Sequence, residues 1–351
     1  MKRKPARRKN KRILNRSQKK YFFRIGVFVL LFSISLIFLF MYTFEKYLNQ
    51  NFVSALSTSS YSILDDNIPT VSYIVVEDLS VRPIVIKKVN YIIFDKLNQK
   101  ASIYNIPLYV NYEIPGRFGN EEFSKLFALG AMNAKDPLKA GTELINRSIF
   151  KLFGFKVDKY VLTDVSQEEF FDRMWREGGH INIFNLKNVT NFENSLKTDL
   201  SLAELNSLLT FLDSLPSDRI TDSAMTPQCF CDTEPFDNKI KEETIESAIA
   251  KENKNIAILN GTDYNGLASF GARVVKNIGG RIVAVGNTEK KYNTSVVIAD
   301  DPNSKTAAFL SRVFMIPQVI SKTESYSFME NEIDRSDVVV IFGFDTSGDL
   351  Y

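Results

Sequence analysis

The chain has 351 residues, of which 44 are Lys or Arg and 41 are Asp or Glu, giving a formal net charge of +3. Twelve of the basic residues and no acidic residue lie in residues 1–24, so subtracting twelve from +3 leaves −9 for residues 25–351. A basic tail on an acidic body argues against nucleic acid as the main partner of the folded part. The length is sufficient for two domains with additional segments.

Residues 25–44, IGVFVLLFSISLIFLFMYTF, contain no charged side chain. A helix rises ~1.5 Å per residue, so this run would cross the roughly 30 Å hydrocarbon core of a bilayer. The basic residues before the run should stay in the cytoplasm, which predicts a single-pass cell-membrane protein with an extracytoplasmic body. The alternative is a cleaved signal peptide, but its apolar core would be only about 7–15 residues long, with a small-residue cleavage site behind it.

The two cysteines, Cys229 and Cys231, lie in the stretch QCFCD. A disulfide between residues this close in sequence would be strained. A metal site needs more ligands, and His180 is the single histidine of the chain. We therefore interpret the cysteines as thiols in a linker and expect no metal and no cofactor. A Ser-His-Asp arrangement would have to use His180, which lies in GGHINIF without a nucleophile elbow.

The body begins after a polar, Ser- and Asn-rich stretch over 45–69, which predicts a stalk. Strands and helices then alternate up to about residue 221, which predicts an α/β domain over 70–221. The predicted elements are strands in SYIVVED and VRPIVIKKVNYIIF, a hairpin over 88–105, helices over 121–154, a strand at 159–165, a helix behind a cap-like Ser166, a strand at 181–186, and an amphipathic helix over 198–212 capped by Asp199 or Ser201.

Residues 222–253 contain prolines, both cysteines and a charged stretch, which predicts a linker that is partly helical. Residues 254–345 then show a second pattern, β-α-β-β-α-β, from IAILN to DVVVIFGFD. The predicted fold class is therefore α/β, with a transmembrane helix, a first α/β domain and a small C-terminal domain.

The C-terminal unit resembles the C-terminal domain of LytR-type envelope proteins over nearly its whole length. The resemblance rests on an Asn-Gly-Thr turn at Asn260, a Gly-Leu-Ala helix start at Gly266, and a final strand that ends in Gly343 and Asp345. No activity follows from it. A helix N-terminus behind such a turn can bind an anion, but the phosphate-loop pattern with its Lys is missing, which favours a structural turn.

The first domain resembles a degenerate LytR-CpsA-Psr domain over about 70–222. The matching stretches, in the family's order, are VSYIVVED, NYIIFDKLNQKASIYNIPLYVNYEIPG, FKVDKYVLTDVSQEEFF and TDLSLAELNSLLTFLDSLPSDRI. Members of this family transfer undecaprenyl-linked glycopolymers onto peptidoglycan, so the resemblance implies a phosphotransferase. Such chemistry requires Arg side chains and a metal on carboxylates to hold a pyrophosphate.

The residues at the family's charged positions argue against retained activity. Asp78 matches the first acid, but the second falls at Lys87, and the Arg-Asp pair after Ile-Pro is replaced by Leu108 and Tyr109. The family's later Arg-rich segment has no counterpart in the thirteen residues between GGHINIF and TDLSLAEL, none of which is Arg. Two basic residues, Arg117 and Lys125, stay candidates for phosphate contact together with Asp78, although solvated surface charge is the more ordinary role.

Three hypotheses remain from the sequence. The first is an inactive envelope protein that binds wall glycopolymer or polyprenyl-linked precursor, or recruits envelope partners. The second is a divergent but active glycopolymer–peptidoglycan transferase that uses other residues. The third is a structural, membrane-anchored adaptor without a glycan ligand. A tunnel lined by apolar residues inside the first domain would favour the first two, and a filled core would favour the third.

Overall fold

The computed structural model describes residues 16–48, 61–116, 118–178, 195–231 and 233–346. Helix α1 extends from Arg16 to Leu48. Within it, Arg24–Lys46 is long and apolar enough to cross a membrane, and none of its most apolar stretch is buried. A helix that is apolar all round suits a bilayer. Length and composition make it a candidate span, and a signal sequence has the same two properties.

The first half of the body is built on a six-stranded mixed sheet in the order β7-β6-β1-β2-β3-β8. β1 lies parallel to β6 and antiparallel to β2, and β3 lies parallel to β8. The predicted hairpin over 88–105 is confirmed, since β2 and β3 pair antiparallel with Asn90 opposite Asn105. The strands are β1 (Thr70–Val76), β2 (Ile86–Asp95), β3 (Lys100–Asn105), a separate hairpin of β4 (Asn111–Ile114) and β5 (Gly119–Glu122), β6 (Lys159–Asp164), β7 (Leu196–Thr198) and β8 (Ile220–Ala224).

Local sequence signals set where the helices of this half begin and end. α3 begins behind Asp136, whose side chain accepts from the Lys139 N–H, and ends at Gly154, whose φ of 58° suits glycine. α5 begins at a capping box of Ser201 and Glu204, which confirms Ser201 as the cap. The helices are α2 (Leu126–Ala131), α3 (Pro137–Phe153), α4 (Glu168–Glu177) and α5 (Leu202–Ser214).

Two further sequence predictions in this half concern Ser166 and residues 181–186. The cap role expected for Ser166 is wrong, because the Asp164 carboxylate accepts from the Ser166 N–H and holds a short turn in front of α4. A carboxylate is the stronger acceptor for such an N–H group. The strand predicted at 181–186 lies outside the described residues.

The segment 222–253, predicted as a linker, contains the end of β8 and three helices: α6 (Gln228–Cys231), α7 (Thr233–Thr244) and α8 (Ser247–Glu252). α7 places Phe236 and Ile240 in the core, and Tyr104 of β3 donates to the Glu243 carboxylate at 2.9 Å. These residues are therefore packed against the first sheet. The proposed domain limits themselves stay predictions.

The second half is a five-stranded sheet in the order β10-β9-β13-β11-β12. The predicted β-α-β-β-α-β order is present, with a short strand and a helical turn added before the last strand. The elements are β9 (Asn255–Asn260), α9 (Leu267–Asn277), β10 (Arg281–Asn287), β11 (Val296–Ala299), α10 (Lys305–Val313), β12 (Val319–Ser321), α11 (Glu332–Arg335) and β13 (Val338–Phe342).

The described residues after position 60 pack as one compact unit. One hydrophobic core joins the two sheets, since it contains Tyr91 of β2, Phe153 of α3, Phe236 of α7 and Ile258 of β9. A second core lies on the opposite face of the first sheet around Trp175. The predicted α/β class is confirmed.

Candidate functional site

The candidate site lies at the edge of the six-stranded sheet where the carboxyl ends of β1 and β6 meet. Val76, the last residue of β1, pairs with Ile86 at the start of β2 and with Asp164 at the end of β6. β3 runs toward this edge, because its last residue, Asn105, pairs with Asn90 in the middle of β2, and the following Ile106 N–H donates to the Val89 carbonyl. Side chains that follow β1, open β2 or follow β3 are therefore brought to the same edge, as the resemblance implies for Asp78, Lys87, Leu108 and Tyr109.

Asp78 follows β1 and is held in a tight local turn. Its Oδ1 accepts from the Ser80 Oγ at 2.6 Å and from the Ser80 N–H at 2.7 Å. These two hydrogen bonds lower the pKa of Asp78, so it is ionised at neutral pH. The carboxylate is thus partly occupied by its own loop.

Lys87 stands where the family pattern has its second acid, and it forms an ion pair with Glu77, 3.3 Å from Nζ to Oε2. The two side chains are 44% and 58% exposed, so the pair contributes at most about 1 kcal/mol to stability. The positive charge at this position matters more for chemistry than for stability. An ammonium group at this position repels a divalent cation that two carboxylates would attract.

The two residues after Ile106-Pro107 carry no charge and lie differently. Leu108 is partly buried and packs against the main core, while its carbonyl accepts from the Ser124 N–H at 2.9 Å. Tyr109 is 70% exposed. Neither side chain can neutralise a pyrophosphate as an Arg fork would.

Lys125 opens the helical region behind β5, and its Nζ lies 2.8 Å from the Glu121 Oε2 with the lysine 56% exposed. The hydrogen bond to Glu121 raises the pKa of Lys125. Arg117 lies outside the described residues. The contacts described for Asp78, Lys87 and Lys125 are local, and none of them joins two of these three residues. Within the described ranges, no group of three or more His, Cys, Asp or Glu side chains is placed to hold a metal ion.

Sequence reasoning missed a polar cluster beside this edge. The Lys88 Nζ lies 2.5 Å from the Asp172 Oδ2 and 3.5 Å from the Glu168 Oε1, and 5.9 Å from the centre of the Tyr73 ring. Burial and the neighbouring Asp172 raise the pKa of Tyr73. Two carboxylates satisfy the lysine, which suits a structural role. Strand alternation was the one available signal, since it puts Lys87 and Lys88 on opposite faces.

In the C-terminal half, the Asn-Gly-Thr turn is held internally. The Asn260 Oδ1 accepts from the Thr262 N–H and Oγ1, and its Nδ2 donates to the Tyr264 carbonyl. Gly266, at the start of α9, has a φ of 86°, which glycine adopts without strain. Lys291 donates to the Thr262 carbonyl from the next loop. These contacts agree with the structural interpretation of the turn.

Both cysteines carry free thiols at α6. Cys231 is exposed and Cys229 is partly buried, with its Sγ 3.7 Å from the Thr226 hydroxyl. The two thiols are not bonded to each other, as expected from their spacing.

A family model matches the C-terminal region, and solved structures show a weak likeness over about half of the chain. Residues 253–345 match the family described as LytR cell envelope-related transcriptional attenuator. Among solved structures, "TagT bound to LIIa-WTA" is 14% identical, covers 50% of this chain and 84% of its own, and has a TM-score of 0.35. TagV from B. subtilis is 11% identical, with coverages of 46% and 85% and a TM-score of 0.36.

A further structure, the LytR-CPS2A-psr family protein YwtF (TagT) with bound octaprenyl pyrophosphate lipid, is 15% identical, with coverages of 51% and 85% and a TM-score of 0.33. No curated protein matches the chain. These scores carry no argument about the activity of the first domain. The chain carries a LytR-type C-terminal domain over residues 253–345, behind an α/β region whose sequence resembles the LytR-CpsA-Psr proteins.

Proposed function

We propose that this chain is a single-pass, membrane-anchored cell-envelope protein that does not transfer glycopolymer. It acts as an extracytoplasmic adaptor that contacts envelope proteins through its surface. Its N-terminus is cytoplasmic, and the body, including the LytR-type domain, lies outside the membrane. The family relationship of the C-terminal domain supports the envelope, and the apolar helix α1 supports the anchor.

The chemistry of the candidate edge supports the absence of transfer. The pattern that would hold a metal and a pyrophosphate is replaced by a Lys87–Glu77 ion pair, a core-packed Leu108 and an exposed Tyr109. Groups that act as a unit contribute to transition-state stabilisation non-additively, so the absence of several of them removes most of that stabilisation.

The observation that carries the adaptor role is the packing between the first sheet, α3 and α7. The Phe153 ring centre lies 4.4 Å from that of Tyr91, 5.3 Å from that of Tyr104 and 5.1 Å from that of Phe236. All four residues are buried. Aromatic side chains at these distances are in direct contact. Among the described residues, side chains therefore fill the space that a prenyl chain would need as a tunnel.

Two alternatives have specific support and are kept as outcomes. Binding of a polyprenyl-linked precursor is suggested by the resemblance and by the lipid that the TagT title names. An active transferase would need replacement cations, for which Arg117 and Lys125 are the candidates.

The test is whether the purified ectodomain, residues 49–351, holds a polyprenyl lipid. Organic extracts of the protein from its native host are analysed by mass spectrometry, and octaprenyl pyrophosphate binding is measured directly. We expect no stoichiometric lipid and no saturable binding. A Phe236→Ala variant, which opens space beside Phe153, serves as the matched control, because it should gain apolar ligand if the packing is what excludes lipid. Stoichiometric lipid in the unchanged protein would replace the adaptor with the precursor-binding hypothesis.

A further inference from the structure

Strand β10 forms an open edge of the five-stranded sheet. It pairs with β9 on one side, and within the described part of the chain no strand lies on its other side. An edge strand presents a row of backbone N–H and C=O groups with which another strand can pair. A bulge at Val283 shifts the register between Ile282 and Ala284, and residues 284–287 continue the ladder regularly.

The other edge strands of the two sheets carry features by which proteins block such pairing. β7 and β12 contain three residues each, and β8 has the polar sequence ITDSA, in which Asn105 and Arg176 bind the Asp222 carboxylate. Short length and charge are two common ways of protecting an edge. β10 contains seven residues, and its single charged side chain is Arg281 at its start. Among the described strands, β10 is therefore the least protected edge.

The side chains of β10 suit an added strand that is apolar in its middle. Val283 and Val285 are each 45% exposed. Gly286 leaves open space, because apart from its chain neighbours no described atom lies within 4 Å of the place where a Cβ would stand. Apolar side chains of a partner strand would cover the two valines, and a large one has room beside Gly286.

Three cations surround the start of β10. Lys254 directly precedes β9, whose first residue pairs with Arg281. Lys276 lies in the last turn of α9, and the Gly280 N–H donates to a carbonyl of that turn at 2.8 Å, which holds the end of α9 beside the start of β10. None of the three cations belongs to an ion pair among the described residues. Lys254 also lies near Glu252, but that carboxylate accepts from two backbone N–H groups at the start of α10.

We infer that β10 is a docking site for an extended segment of an envelope protein, which adds to the sheet as a sixth strand and carries acidic side chains at the end beside Arg281. This inference rests on the proposed adaptor function and gives the chemistry of its partner. In strand addition, main-chain hydrogen bonds provide the affinity and side-chain contacts provide the specificity. Acidic residues that meet the three cations fix the direction in which the segment docks.

A second copy of this chain is the other occupant that an open edge can take. In a parallel pair of β10 strands, the Arg281 side chains of the two copies would lie together. In an antiparallel pair, Arg281 would lie beside Glu289 and Lys290, which follow β10 and whose charges cancel. Neither arrangement brings net negative charge to the three cations, whereas an acidic segment does. Charge therefore favours a different protein as the partner.

The experiment pans a display library of random twelve-residue peptides against the full chain in nanodiscs. The affinity of each enriched peptide is measured by fluorescence polarisation, and hydrogen exchange of the full chain is followed with and without the peptide. We expect the enriched peptides to contain alternating apolar residues, to carry Asp or Glu at one end, and to slow exchange of the β10 amides. The same preparation is extracted for polyprenyl lipid, which tests the adaptor function separately.

Four variants, each checked for an unchanged melting temperature, locate the contact. Val285→Lys should weaken peptide binding at least about tenfold, because a lysine on an edge strand opposes pairing. Its matched control is Val81→Lys, which changes a valine of the first half that is 54% exposed and should bind as the unchanged chain does. Arg281→Glu should weaken binding on the order of tenfold, whereas Lys290→Glu, past the other end of β10, should not.

Three results would overturn the inference: a library without enrichment, enriched peptides that are neutral or basic, and protection that lies away from β10. Protection of β10 that rises with the concentration of the full chain, without peptide, would replace the partner protein with a second copy. With a lipid-free preparation, each of these results leaves the adaptor function standing. Stoichiometric polyprenyl lipid in the preparation would instead refute the adaptor function itself.

Discussion

Arg273 of α9 ties the C-terminal domain to the first half of the body, and replacing it is the most informative single change. Its guanidinium makes two hydrogen bonds to the Asp237 carboxylate of α7, at 2.6 and 2.7 Å. It also donates to the Lys151 and Leu152 carbonyls at the end of α3, both at 2.6 Å. The same guanidinium therefore pairs a carboxylate of α7 and satisfies two terminal carbonyls of α3.

The magnitude follows from what Arg273→Ala leaves behind. Arg273 and Asp237 are each only 19% exposed, so the variant leaves a poorly hydrated carboxylate without its cation and two carbonyls without their donor. Breaking a fully buried pair costs about 3–5 kcal/mol, and the remaining exposure reduces this, so we expect a loss of about 3 kcal/mol. For a body of this size that corresponds to a fall in Tm of roughly 5–10 °C.

The assay is urea unfolding of the ectodomain followed by circular dichroism. Lys276→Ala is the matched control, since Lys276 is an exposed cation on the same helix and should cost less than about 0.5 kcal/mol. Arg273→Lys should recover only part of the loss, because an ammonium cannot reproduce the planar fork. The double variant Arg273→Ala/Asp237→Ala should lose less free energy of unfolding than the sum of the losses in the two single variants. If Arg273→Ala is no more destabilising than Lys276→Ala, the bridge does not hold the halves together.

Three further outcomes are expected. Burial raises the pKa of Glu246 to about 7 from an ordinary 4.5, and its Oε1 has no hydrogen-bond partner among the described residues. The folded state therefore binds the proton more tightly than the unfolded state, and its stability falls as pH rises from about 4.5 to 7. The Glu246→Gln variant should be more stable than the unchanged ectodomain above pH 7, by up to about 3 kcal/mol, and this gain should disappear below pH 4.5. Equal pH profiles of the two proteins in urea titrations would contradict this. Residues 254–351 alone should melt cooperatively in calorimetry but below the Tm of the whole body, because the contacts to α3 and α7 are missing, and an unfolded fragment would mean that the two halves form one domain. Protease added to intact spheroplasts should digest the body and leave a small fragment around Arg24–Lys46, whereas a processed, soluble body would refute the anchor.

Local signals were sufficient wherever the responsible residues are close in sequence. The β2–β3 hairpin follows from a polar turn between two strand-like runs, and the start of α5 follows from Ser201 and Glu204, three residues apart. The C-terminal domain has short elements with clear periodicity, so its order was predictable nearly in full.

The missed features depend on contacts between distant residues. β8 has the sequence ITDSA, without apolar alternation, and is a strand because it pairs with β3 more than a hundred residues earlier. Arg273 reads as an ordinary helix-surface residue until α7 and the end of α3 are placed beside it. At the candidate edge, the sequence indicated which residues stand at the family's positions, but not that Lys87 pairs with Glu77 or that Leu108 packs against the core.

The central proposal is that this chain, although its first half resembles the LytR-CpsA-Psr proteins in sequence, does not transfer glycopolymer. The direct measurement is transfer of glycopolymer from a lipid-pyrophosphate donor to peptidoglycan fragments by the full chain, with Mg²⁺ and with Mn²⁺. Our account predicts no turnover above a protein-free reaction with either metal. Turnover that disappears in an Arg117→Ala/Lys125→Ala variant, while a Lys276→Ala variant retains it, would contradict the account and identify the chain as an active transferase.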